Sequence, residues 1–147
     1  DYAGLEPLLV APLKSSAVFL ADLSRALPIH HGLDVIELAG YGDGRSGGVR
    51  MTKDLDTAIE GRHVLVVEDV VMRTLQLRGP ASLAAVTLLD RPYRRLVDDI
   101  NLRYVGFTVP DELFAGYGLG LDERWRAFPD LRYVVAETLP AAATDAA

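Results

Sequence analysis

The sequence predicts an α/β domain built on a doubly wound, mostly parallel sheet. Three observations point there. Val64-Leu65-Val66-Val67 and Leu83-Ala84-Ala85-Val86-Thr87-Leu88-Leu89 are nearly continuous apolar runs, as expected of central strands covered on both faces. A helical period separates two further strand-like runs. Glycine and proline fall at the joints.

Taken in order, Leu8-Leu9-Val10-Ala11 reads as the first strand. Val18, Phe19, Leu20, Leu23 and Leu27 then repeat at helical spacing, and Ser15 or Ser16 can cap that helix. A second strand follows over Leu33 to Leu38. Gly40 to Gly48 is rich in glycine and small polar residues and reads as a long loop. The third strand ends in Glu68-Asp69, and Gly79-Pro80 stops the helix after it. Leu83 to Leu89 and Leu102 to Phe107 complete five strands. Residues 1–140 are expected to form one domain and 141–147 a disordered tail.

The chain has 147 residues, half of them hydrophobic, and no cysteine, so disulfides and thiolate metal sites are excluded. A net charge of −6 argues against general nucleic-acid binding, while a local cluster or a metal can still hold a small anion. No apolar run reaches the roughly 20 residues of a membrane span, so no membrane partner is expected. Asp1-Tyr2-Ala3-Gly4 has neither the basic nor the apolar part of a signal peptide. A soluble, cytoplasmic protein is the expectation.

One connection is too short. The strands ending near Val71 and beginning near Leu83 should be parallel neighbours, and a crossover needs at least about 10–12 residues, mostly helical. Only Met72 to Arg78 is available for helix, roughly two turns.

Several residues can carry chemistry. Ligands of open parallel sheets bind beyond the carboxyl ends of the strands, where Glu68-Asp69 stands. Taken alone, the pair reads equally as a ligand for sugar hydroxyls or magnesium waters and as a solvated strand end. Lys14-Ser15-Ser16 reads as an anion-binding loop or as an ordinary helix cap. His30-His31 has no third ligand at suitable spacing and reads as a loop.

The order of these segments resembles the type I phosphoribosyltransferases, on the hypoxanthine-guanine branch. Val64 to Val71 resembles the family's sugar-phosphate signature, Leu13 to Leu23 its pyrophosphate loop and helix, and Tyr41 to Arg50 its catalytic loop. Leu88-Leu89-Asp90-Arg91-Pro92 and Tyr104 to Leu119 resemble its base site. The resemblance implies a small hood over that site. It also implies a magnesium-dependent purine-salvage transferase that joins phosphoribosyl pyrophosphate to a 6-oxopurine, as a homodimer or homotetramer. On this reading Glu68 and Asp69 hold ribose hydroxyls and magnesium, and Lys14, Ser15 and Arg126 face pyrophosphate. Tyr41, Arg91, Leu113 and Phe114 face the substrates. Gly120 stands where the family has a metal-binding Asp, and Asp122 is the weaker stand-in.

The stretch that cradles the 5-phosphate in the family, with the residue acting at purine N7, has no counterpart after Val71. That place is short by about nine residues, as the cramped crossover requires, and the loop near Tyr41 by about two. Both are mobile loops in the family, so we read them as missing from the sequence rather than deleted from the protein. The alternatives are a non-enzymatic nucleotide sensor on the same fold, or an enzyme of that fold preferring xanthine or adenine.

Overall fold

The computed structural model describes residues 1–39, 50–68, 72–92, 101–121 and 123–135. The predicted tail at 141–147 lies outside them.

The five expected strands form, each extended by a residue or two. They are β1 (Leu8–Leu13), β2 (Gly32–Ala39), β4 (His63–Val67), β5 (Ser82–Asp90) and β6 (Leu102–Thr108). A strand the sequence did not announce, β3 (Arg50–Lys53), pairs antiparallel with β2 at the sheet edge. Its four residues alternate between exposed and half-buried, too short a run to stand out as a period. The sheet order is β3-β2-β1-β4-β5-β6, and every pair except β3 with β2 is parallel.

Alternation along the strands divides the core between two faces. Leu8, Val10, Val64 and Val66 point to one face, where Met72 and Leu75 of α2 (Met72–Gln76) cover them. Leu9, Ala11, Leu65 and Val67 point to the other, beneath Phe19, Leu20 and Leu23 of α1 (Ala17–Ala26). Helices on opposite faces make the sheet doubly wound, as predicted. At roughly 1.5–3 kcal/mol for each fully buried aliphatic side chain, this double layer is the main source of stability.

The described parts of the short crossover keep the expected parallel pairing. β4 and β5 pair in parallel from His63 with Ser82 to Val67 with Val86, although the connecting helix has only five residues. Met72 and Leu75 still reach the core, and Gly79, at φ +67, turns the chain back.

Asp34 on β2 is buried and acts as a joint. Its carboxylate accepts the backbone N–H groups of Val35 at 2.8 Å and Thr57 at 2.9 Å, with Lys53 Nζ 3.9 Å away. Burial alone would raise its pKa, but the backbone donors outweigh that and hold it below the usual carboxylate value. A second, two-stranded sheet of β7 (Phe114–Ala115) and β8 (Arg132–Tyr133) forms the small hood at the far end of the chain.

Candidate active site

The strand order places a topological switch between β1 and β4. From β1 the chain crosses to β2 on one side, while β4 leads to β5 and β6 on the other. The carboxyl ends of β1 and β4 diverge there and leave a crevice. The loop after β1 supplies Lys14, Ser15 and Ser16 to one wall, and Glu68, straight after β4, supplies the other.

Glu68 is half-buried and closely held. Its backbone N–H donates to Val86 O at 3.0 Å, so it still belongs to the ladder. Its φ is +116, a conformation that costs a residue with a side chain about 1–3 kcal/mol. Such strain persists where the surroundings over-determine it. Here Ser16 Oγ donates to Glu68 Oε2 at 2.7 Å and Ser15 Oγ reaches the same oxygen at 3.4 Å.

Lys14 and Arg126 meet through a residue the sequence reading passed over. Glu123 accepts Lys14 Nζ at 2.8 Å and Arg126 Nη2 at 3.3 Å. The hydrogen bond from Lys14 and the nearby Arg126 hold its carboxyl below the usual range. Its i−3 spacing from Arg126 was the available signal. Arg126 Nη1 also donates to Gly118 O at 2.9 Å, while its buried Nε has no partner.

Two glycines let the 118–126 segment close on this loop. A Cβ on Gly118, at φ +91, would lie 2.4 Å from Ser15 O. A Cβ on Gly120 would lie 2.4 Å from Arg124 O and 2.6 Å from Arg126 Cγ. Arg126 thus fills the place a side chain at 120 would take. Tyr117 donates its hydroxyl to Asp22 of α1, which also pairs with Arg25. That bond raises the Tyr117 pKa and lowers that of Asp22. A cavity of about 420 Å³ opens beside it, lined by Phe19, Leu23, Leu88, Tyr117 and Leu131, on a flank of the molecule that does not include Glu68.

The residues read from the sequence as a base site form a separate group. Arg91, just after β5, donates to Glu112 O at 3.5 Å. Leu113 is exposed, and the Phe114 ring packs on Tyr133 with centroids 4.9 Å apart and planes tilted by 40°. Tyr41, Asp69 and Asp122 lie outside the described residues. His31 sits in the loop before β2 and uses one ring nitrogen on Ile29 O of that loop and the other on Ser24 Oγ of α1.

The comparisons with known proteins agree with this fold. The phosphoribosyl transferase domain family matches residues 1–123. Hypoxanthine phosphoribosyltransferase of Salmonella typhimurium is 42% identical over 144 residues, which span 90% of this chain and 80% of that protein. Hypoxanthine-guanine phosphoribosyltransferase of Mycobacterium avium is 41% identical, over 89% of this chain and 68% of that one. The structure of Trypanosoma cruzi hypoxanthine phosphoribosyltransferase in complex with the product IMP superposes with a TM-score of 0.82 at 35% identity, covering 92% of this chain and 81% of that chain. Ninety per cent of 147 residues is about 132, yet the Salmonella alignment runs over 144, so roughly a dozen of its positions have no counterpart here. That agrees in size with the two short places read from the sequence. The chain belongs to the phosphoribosyltransferase family, among its hypoxanthine and hypoxanthine-guanine members.

Proposed function

We propose that this chain is a purine-salvage enzyme that transfers the 5-phosphoribosyl group from phosphoribosyl pyrophosphate to hypoxanthine or guanine, giving IMP or GMP and pyrophosphate. The observation that carries this reading is the Glu68 carboxylate, held by Ser16 at the switch point opposite the Lys14 loop.

In the reaction a bond forms between purine N9 and the sugar C1, the C1–oxygen bond to pyrophosphate breaks with its electron pair leaving on pyrophosphate, and the proton of the purine imidazole ring is released to solvent. Glu68, with Asp69, accepts the ribose hydroxyls and so fixes the sugar against the base. Lys14 and Arg126 offset the charge that grows on the departing pyrophosphate, and the Ser15 loop faces the same group. Arg91 donates to the purine O6 and N7 edge. Leu113 and Phe114 flank the base, and Tyr41 belongs to the segment facing the substrates.

Carboxylate oxygens are hard donors and fit magnesium, which takes one or two protein carboxylates and fills its remaining positions with substrate oxygens and water. Glu68 and Asp69 would hold it, with Asp122 a weaker third. Such an ion supplies charge neutralisation of the pyrophosphate.

Residues 1–140 are taken as the catalytic domain. Among the described residues no helix is long and apolar enough to cross a membrane, and we place the enzyme in the cytoplasm, with no nucleic acid as partner. Val105 and Phe107, exposed on edge strand β6, support assembly as a homodimer or homotetramer.

The test is product formation from phosphoribosyl pyrophosphate and magnesium with hypoxanthine, guanine, xanthine or adenine, separated by chromatography. IMP and GMP are the expected products. Xanthine preferred over both would shift the base assignment and trace to Arg91, which stands where the family has lysine. Tight nucleotide binding without turnover on any base would favour the sensor.

A further inference from the structure

Ser16 is the N-cap of α1, yet its side chain makes no capping hydrogen bond. An N-cap serine ordinarily turns its hydroxyl onto the N–H groups of the first helical turn, and loss of that bond costs helix stability. Here the hydroxyl is 2.7 Å from Glu68 Oε2, across the crevice from its own helix. Ser16 is 7% exposed, so the bond is shielded from water. Its backbone remains engaged in the helix start, with Leu20 N–H donating to Ser16 O at 2.8 Å. The helix keeps its backbone start, and the side chain is spent on the neighbouring strand end.

Glu68 needs such support. At φ +116 its backbone is strained, and its three side-chain torsions must be fixed for the carboxylate to point one way. A donor carried on the start of α1 helps to select that orientation. We propose that Ser16 is a positioning residue, which gives up its cap to preset the Glu68 carboxylate for the ribose hydroxyls of phosphoribosyl pyrophosphate. This rests on the assignment of Glu68 to the ribose.

Pyrophosphate alone has no ribose, which separates positioning from general damage. The experiment is calorimetric titration of the full chain with magnesium phosphoribosyl pyrophosphate and, separately, with magnesium pyrophosphate. Ser16→Ala is expected to weaken the first about fivefold, the worth of one hydrogen bond, and to leave the second within about a factor of two. Ser16→Thr, which keeps the hydroxyl, restores the first. Should Ser16→Ala unfold, Ser16→Gly removes the same hydroxyl and is well tolerated at an N-cap. Equal weakening of both ligands, or of neither, overturns the proposal while the functional reading stands. Failure of the unsubstituted chain to bind phosphoribosyl pyrophosphate overturns both.

Discussion

Glu68 and Glu123 are two carboxylates gripped by neighbouring residues of one loop, and they are held in opposite ways. Glu68 follows a strand buried from Val64 to Val67, is half-buried and strained, and accepts from the uncharged hydroxyls of Ser15 and Ser16. Glu123 sits on the hood side, about two-thirds exposed, and is held by the cations Lys14 and Arg126. The first arrangement is shielded from water and salt, and its geometry is set by the sheet. The second is screened, and exposed pairs of this kind contribute little to stability. The floor of the site is therefore fixed by geometry, and its hood side by ion pairs that water and salt can loosen.

The sharpest way to test the floor is Glu68→Gly. Glycine adopts φ +116 without strain, so the variant should melt higher, by about 1 kcal/mol in stability. Its kcat/KM for phosphoribosyl pyrophosphate should fall at least about 100-fold. A variant less stable than the parent would show that Glu68 contributes net stability, and the contrast with Glu123 would collapse.

Asp34 tests whether the buried framework of β2 and β3 behaves like the floor. Asp34→Ala should cost about 2 kcal/mol by leaving the N–H groups of Val35 and Thr57 without an acceptor. Because its folded pKa is depressed, the carboxylate stabilises the fold fully above its unfolded value near 3.8, and this is lost as pH falls through the lower folded pKa. Denaturant melts of parent and Asp34→Asn should therefore differ at neutral pH and converge below about pH 3.8.

On the hood side, Gly120→Asp should destabilise by about 1–2 kcal/mol, since its Cβ meets Arg124 O and Arg126. Chemical denaturation measures it, and a neutral result would mean that this segment yields more easily than its glycines imply.

The smallest effect belongs to Glu123→Gln. With the internal counter-ion neutralised, Lys14 and Arg126 are released to an incoming anion, and magnesium pyrophosphate should bind about twofold tighter at low salt, the gain fading as ionic strength rises. Weaker binding would make Glu123 a contributor to the site rather than a competitor for its cations.

The floor was far more legible in the sequence than the hood. Long apolar runs such as Val64 to Val67 announce central strands, and parallel order then puts Glu68 at a carboxyl end whatever the loops do. β3 escaped because four alternating residues carry too little period. Ser16 was readable as a cap, but that its hydroxyl turns away depends on a strand 52 residues on. The ion pairs of Glu123 depend on tight turns at Gly118 and Gly120, which only coordinates reveal. Phe114 was visible as a ring beside the base segment, whereas its partner Tyr133 lies on another strand of the hood.

The packing of Arg126 over Gly120 also governs the order in which this site can change. A side chain at 120 cannot be gained as a first step, because its Cβ overlaps Arg124 O and the Arg126 side chain. Arg126 would have to move first, and Gly118 O would then lose the donor it now holds at 2.9 Å. The glycine is thus held in place by its neighbour, and the two positions are free to change only together.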